Sequence, residues 1–214
     1  MIIGILGLIN SGKGTIADHL VAKHNFREDS FATSVKDALA VIFLWDRALL
    51  EGDTEASRDW RNRVDPWWAK KLDIPYFTPR WAMQNFGTDV MRQHFHTDIW
   101  VSTVENRHRL NPDQPLVVSD VRFQNEIATL KKMNCVFVEI QRGPKPIWYP
   151  IALEHNQTRG IPEKCVEQRM ARIKLDDYGI HQSEWDWIGT PTSFVLENNG
   201  TKDELIAKVN KLLT

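Results

Sequence analysis

Cysteine is scarce in this chain: Cys135 and Cys165 are the only two among 214 residues, and they stand far apart. That excludes a disulfide framework and any cysteine-built metal site, and two reduced thiols suit a cytosolic protein. An excess of charge is missing as well. Lys and Arg number 27 against 28 Asp and Glu, a formal net charge of −1. Nothing in that balance advertises a nucleic-acid or membrane surface, although basic residues can still cluster locally. Long apolar runs are also missing. The opening "MIIGILGLI" is too short to span a bilayer and has no basic flank of the signal-peptide kind, and Asn10, Ser11, Gly12 and Lys13 break it. No repeat and no low-complexity tract is seen. What is present in quantity is tryptophan, with nine, which reads as core and interface packing. The length suits one α/β domain with a sizeable core and small insertions.

The chain alternates strand and helix signals. "MIIGIL" is apolar without alternation, as a parallel strand buried on both faces requires. "GTIADHLVAKH" carries a helical stripe at Ile16, Ala17, Leu20 and Val21. "FREDSFA" has room for a short strand, and "SVKDALAVIFLW" predicts a helix capped by Ser34. Residues 46–79 are charged, aromatic and punctuated by proline, an insertion of short helices and loops. "TPRWAMQNFGTDVMRQHF" predicts a helix with Thr78 as cap and Pro79 in its first turn, interrupted at Gly87 and Thr88. "DIWVSTVENRHRL" is another helix. "PLVVSD" is a buried strand, Leu116 to Ser119, ending in Asp120, with a helix after it; "NCVFVEIQR" is a further strand. A second irregular region, about 143–189, holds the helix "PEKCVEQRMARIKL". Strand, Asn-Asn-Gly turn and amphipathic helix close the chain. The expected architecture is a parallel sheet of about five strands flanked by helices.

"GLINSGKGTIADHL" fits a phosphate-binding loop between a buried strand and a helix. Gly7 and Gly12 let the backbone curl so that successive N–H groups, from Asn10 through Gly14, face one phosphate cluster, and the helix N-terminus adds its dipole. Lys13 would reach the β- and γ-phosphates of ATP, and Thr15 would offer a hydroxyl to Mg²⁺. The hydroxyl comes one place late, after Gly14. "GKGT" is how many small-molecule kinases, adenylate kinases among them, write this loop. Asp120, at the end of a buried strand, is the second candidate for the Mg²⁺ shell; its alternative role is to cap the helix that follows.

Taken in order, "GLINSGKGTIADHL", "SFATSVKDALA", "RWAMQNFGTDVMRQHF", "VVSDVRFQNEI", "HQSE" and "NNGTKDEL" resemble the bacteriophage-type deoxynucleoside monophosphate kinases, and more remotely the animal phosphomevalonate kinases. The resemblance runs over nearly the whole chain. It implies transfer of the ATP γ-phosphoryl group, with Mg²⁺, to a deoxynucleoside 5′-monophosphate (dNMP). It also implies the P-loop kinase fold as one domain over 1–214, with an acceptor-binding insert at about 34–95 and a lid at about 143–189. By that resemblance Arg80, Gln84, Thr88, Asp89 and Arg92 line the acceptor pocket, their spacing of three to four putting several on one helix face. Lys36, with Asp37, resembles an acceptor-site motif, though a surface Lys–Asp pair would look the same. Asp120 and Arg122 sit where donor and acceptor phosphates would meet. Arg142 begins the lid; Arg159, Arg169 and Arg172 lie within it. Lids of this kind close arginines over transferring phosphates and exclude water. Asn198 and Gly200 stand where P-loop kinases contact adenine. The role of "HQSE" is not derivable, and a structural hydrogen bond for His181 is the simpler expectation.

The expected partners are therefore ATP and a dNMP, with no nucleic acid and no membrane. The expected location is the cytoplasm, the host's if the chain is phage-encoded. A homodimer is compatible with the sequence. A kinase of another phosphorylated acceptor, phosphomevalonate-like, would use the same Lys13, Thr15 and Asp120. A P-loop ATPase acting on nucleic acid is disfavoured by the absence of a basic stripe.

Overall fold

A computed structural model describes residues 1–213. Five strands form one parallel sheet in the order β2-β3-β1-β4-β5: β1 (Ile2–Gly7), β2 (Arg27–Asp29), β3 (Leu116–Val118), β4 (Val136–Gln141) and β5 (Phe194–Glu197). β1 lies in the middle, all six of its residues buried, as the unbroken apolar run requires. β3 ends at Val118, one residue short of the expected Ser119. Helices alternate with these strands, so the expected architecture is the one observed.

The chain divides into two compact units, one of residues 1–29 and 108–214, the other of residues 30–107. The first holds the sheet with α1 (Lys13–His24), α7 (Gln124–Lys132), α8 (Tyr149–Gln157), α9 (Cys165–Asp177) and α10 (Lys202–Leu212). Its core includes Ile3, Ile5, Ile16, Leu20, Val117, Ile140, Leu196 and Val209. Ile16, Ala17 and Leu20 of the α1 stripe are buried, whereas Val21 is exposed.

The second unit contains α2 (Thr33–Phe43), α3 (Glu55–Asn62), α4 (Pro66–Leu72), α5 (Pro79–Gln84) and most of α6 (Ile99–Leu110). Its core is built of Val35, Leu39, Trp45, Leu50, Phe77, Ala82 and Trp100, with Trp60, Trp68 and Trp81 partly covered. Phe43, Trp45, Trp68 and Phe77 meet with ring centroids 4.5 to 5.9 Å apart. Tryptophan packing thus replaces the sheet as the organiser of this unit, as large aromatic burial allows.

Two local expectations are corrected. Ser34 does not cap α2. The helix begins a residue earlier with Ala32 as its N-cap, and the Ser30 hydroxyl accepts from the Ala32 N–H. Ser34 Oγ instead accepts from Arg107 Nη1. Gly87 and Thr88 do not interrupt the helix begun by Thr78 and Pro79. From Asn85 to Phe95 the backbone continues in the wider π register, closing with the His96 N–H on the Met91 carbonyl. Such turns are rare and concentrate at functional sites. The Gly87 carbonyl accepts from the Trp100 indole at 2.7 Å, so a core side chain anchors the segment that glycine was expected to break.

Candidate active site

The candidates from the sheet-bearing unit, apart from Gly14 and Thr15 in the first turn of α1, the lid arginines and Gly200, lie on or just beyond the carboxyl end of a strand. The β1–α1 loop, residues 7–13, follows the central strand. Asp120 and Arg122 follow β3, Arg142 follows β4, and Asn198 follows β5. A parallel sheet brings these loops to one end because every crossover returns the chain to the same start.

The loop itself depends on two glycines. Gly7 has φ +150, and a Cβ there would sit 2.6 Å from both the Ile140 carbonyl and Ser11 Oγ. Gly12 has φ +108, and its Cβ would sit 2.6 Å from Asn198 Nδ2. Neither position has room for a side chain. Lys13 folds its ammonium back over the loop and donates to the carbonyls of Gly7 and Leu8, each at 2.8 Å. Ser11 Oγ is buried with no hydrogen-bond partner among the described residues. A curled backbone, an orphaned hydroxyl and a lysine held by loop carbonyls are what a phosphate cluster would engage. Thr15 is half-buried in the first turn of α1 and Gly14 is exposed.

Burial brings the Lys13 pKa down to about 8, with the Arg122 charge adding to the effect and Glu184 opposing it. The cation is the form phosphate binds, so anionic ligand must restore the proton. ATP binding is therefore expected to take up a fraction of a proton above pH 8. Titration calorimetry in buffers of differing ionisation heat should show the uptake growing between about pH 7.5 and 8.5. Uptake that does not change over this range would mean Lys13 does not meet the phosphates.

Around this loop the arginines are partly engaged. Arg122 Nη1 donates to Glu184 Oε1 at 3.0 Å. Its backbone N–H, with that of Phe123, donates to the buried Glu126 carboxylate at 2.8 and 2.9 Å. Arg142 Nη1 reaches the Asn10 carbonyl at 3.3 Å and is otherwise exposed. Asp120 is half-buried. Asn198 is buried and its Nδ2 donates to the Ser11 carbonyl at 2.8 Å, so it braces the loop. Gly143 N–H donates to Asn199 Oδ1 at 2.8 Å, tying the start of the 143–189 region to the turn after β5. Gly200 is exposed in that turn.

The segment whose role the sequence left open becomes intelligible here. His181 caps a short 3₁₀ turn, Gln182–Glu184, accepting from the Ser183 N–H at 3.2 Å. That turn delivers Glu184 to Arg122. Two residues on, Asp186 is almost fully buried. It accepts from Arg159 Nη2 at 2.5 Å, Gln182 Nε2 at 3.2 Å and the Gln124 N–H at 3.0 Å. Arg159 is therefore anchored to the core, while Arg172 lies over the Trp185 ring at 5.2 Å and pairs with Asp176. Arg169 is exposed on α9. Glu184 and Asp186 were not singled out from the sequence. The "HQSE" segment was the available signal, and it lacked a partner to give it meaning.

In the unit of residues 30–107, Arg80 and Gln84 are exposed on α5, one turn apart. Thr88 and Asp89 are exposed and Arg92 half-buried on the π segment. The wider register spaces these three differently from the α-helical face the sequence suggested. Lys36 is half-buried and its ammonium is bonded to Glu51 rather than to Asp37; Arg47 takes both Glu51 and Asp37. Among the described residues no group of three or more His, Cys, Asp or Glu could hold a metal ion. A Mg²⁺ carried by nucleotide phosphates needs only one or two protein oxygens, and Thr15 Oγ1 and the Asp120 carboxylate, which follow adjacent strands, fit that demand. Among the described residues no helix is long and apolar enough to cross a membrane.

Comparison with known proteins shows what the chain is similar to. The family model described as deoxynucleotide monophosphate kinase matches residues 68–161. A putative deoxynucleotide monophosphate kinase of Acanthamoeba polyphaga mimivirus is 31% identical over 153 residues, 66% of this chain and 74% of the relative. A deoxynucleoside-5′-monophosphate kinase of Escherichia phage T5 is 28% identical over 115 residues, 49% of this chain and 46% of that protein. Among solved structures, a dephospho-CoA kinase from Campylobacter jejuni is 13% identical with a TM-score of 0.43, covering 99% of this chain and 95% of its own.

Proposed function

The chain belongs to the deoxynucleotide monophosphate kinase family, and from that premise we propose that it transfers the γ-phosphoryl group of ATP to the 5′-phosphate of a dNMP. The bond from the γ-phosphorus to the β,γ-bridging oxygen breaks, a bond to an acceptor phosphate oxygen forms, and ADP and dNDP leave. The acceptor oxygen is already ionised near neutral pH, so no side chain has to remove a proton. Positioning and charge neutralisation remain, and they are what this chain's residues supply.

The observation that carries the reading is the gathering of Lys13, Asp120, Arg122 and Arg142 beyond the ends of β1, β3 and β4, around a loop whose glycines exclude side chains. Loop N–H groups from Asn10 to Gly14 and the Lys13 ammonium would bind the β- and γ-phosphates. Arg122 and Arg142 would neutralise charge on the phosphoryl group in transfer. Thr15 and Asp120 would hold Mg²⁺, which supplies further charge neutralisation when bound. We assign the acceptor-binding insert to about 34–95, with Lys36, Arg80, Gln84, Thr88, Asp89 and Arg92 as contacts; Asp120 and Arg122, which follow β3, are assigned to the dNMP as well. The lid is assigned to about 143–189, with Arg159, Arg169 and Arg172. The partners are then small molecules, and the enzyme works in the cytoplasm, the host's if phage-encoded.

A coupled ADP-release assay with ATP and Mg²⁺, run against the four dNMPs, their ribose counterparts and phosphomevalonate, tests the reading. Turnover on at least one dNMP is the expected result; turnover on phosphomevalonate alone would replace the acceptor. Within the same assay, Arg80→Ala should raise the KM for the dNMP by about 10-fold or more, since a charged hydrogen bond to phosphate is lost. The KM for ATP should stay where it was. A change confined to ATP would move the acceptor pocket elsewhere.

A further inference from the structure

Arg61, on α3, carries a guanidinium that the fold half-buries without an ion-pair partner among the described residues. Its Nη1 donates to the Glu51 carbonyl at 3.3 Å, a long bond, and its buried Nε has no hydrogen-bond partner among the described residues. α3 packs against α5, which begins with Pro79 and Arg80. Burial, and after it the charge of Arg80, holds the Arg61 pKa below the ordinary guanidinium range; Asp53 and Glu51 pull the other way and Arg58 adds to the repulsion. The Glu51 carboxylate is already taken by Lys36 and Arg47.

The loop before α3 is shaped to receive this group. Gly52 has φ +76, and a Cβ there would overlap the Arg61 guanidinium. Arg58 Nη1 donates to the carbonyls of Gly52 and Asp53 at 3.2 and 3.0 Å, holding the loop at a second point. Thr54 and Ser57 close a capping box that fixes where α3 starts. A half-buried arginine beside a second, exposed one costs energy unless an anion is shared between them. A guanidinium held by one long bond turns toward such an anion at little cost, and its fork matches phosphate oxygens in pairs.

We propose that Arg61 is a phosphate-binding residue of the acceptor site, taking the 5′-phosphate of the dNMP together with Arg80. The assignment rests on the function proposed above. Arg61→Ala is expected to raise the KM for the dNMP about 10- to 100-fold. The KM for ATP and calorimetric binding of the matching deoxynucleoside, which has no phosphate, should not change. Arg61→Lys should recover part of the loss, because it keeps the charge and not the fork. Gly52→Ala, which displaces the guanidinium and leaves Arg61 in place, should raise the same constant. Arg63→Ala, at an exposed arginine just past the end of α3, should have no effect. If Arg61→Ala melts early, Arg61→Lys and Gly52→Ala decide on the same readouts. An unchanged KM for the dNMP, or an equal loss for ATP and deoxynucleoside, overturns the assignment. A wild-type enzyme silent on every dNMP overturns the proposed function and this assignment with it. Wild-type turnover without an Arg61 effect overturns this assignment alone.

Discussion

Lys13→Ala is expected to reduce phosphoryl transfer by about 10³-fold or more, the scale seen when a main charge donor to the reacting group is removed. The ammonium is the cation set within the loop itself, against the carbonyls of Gly7 and Leu8. Its neighbours cannot simply replace it, because Arg122 is paired with Glu184 and Arg142 reaches the loop only at Asn10. The fold should survive. Burying this cation is costly, as its pKa of about 8 indicates. The folded form disfavours the proton relative to the unfolded chain, so this cost is fully present below pH 8 and relieved as pH rises toward the ordinary lysine value of 10.5. An alanine removes both the cost and the two hydrogen bonds, leaving the melting temperature within a few degrees of wild type, about what 1 kcal/mol produces in a chain of this size. The coupled ADP-release assay and a thermal melt check both halves. Substantial remaining activity in a folded variant would remove Lys13 from the mechanism.

Asp186→Ala should be the most damaging single change to stability outside the apolar core. The carboxylate is buried and serves Arg159, Gln182 and the Gln124 N–H together. Its loss leaves the Gln124 N–H without its acceptor and the Arg159 guanidinium with only the neutral Asn156 Oδ1, against on the order of 3–5 kcal/mol for breaking a fully buried pair. Arg159 is 33% exposed, so solvent recovers part of this and about 2–4 kcal/mol is the expected loss. The melting temperature should fall by roughly 5–15 °C. Asp186→Asn, which keeps an acceptor for Gln124, should fall less. Activity should drop with it, because Arg159 loses its anchor and Gln182 its hold on the turn that carries Glu184. A melt within a degree or so of wild type would show that water replaces the carboxylate without loss.

The phosphate-binding loop was legible because everything it needs is contiguous. Gly7, Gly12, Lys13 and Thr15 fall within one strand–loop–helix passage, and the two glycines occupy the left-handed conformations that such a curl demands. The segment from Arg80 to Arg92, which we propose binds the acceptor, was legible as helical and misread at Gly87. Gly87 looked like a break because an isolated peptide would pay for it there. The Trp100 indole on its carbonyl tips that balance, and a contact across 13 residues leaves no mark in local propensity. Ser34 looked like a cap by the same local logic and was taken by Arg107 instead.

The amino-acid sequence by itself determined the sheet-forming strands, the loop that follows the first of them, and the position along the chain of nearly every cation assigned to phosphate. These depend on periodicity and on residues a few places apart, which the chain's own covalent geometry relates. Only the tertiary structure decided which charges are spoken for and which are not. Lys36 is bonded to Glu51, Asn198 braces Ser11, and Arg159 is held by Asp186, whereas Arg61 keeps a buried N–H without an acceptor among the described residues. Partners in these pairs lie up to 187 residues apart. Whether a buried charge is compensated depends on what packing brings within a few ångströms of it, and no local pattern encodes that distance.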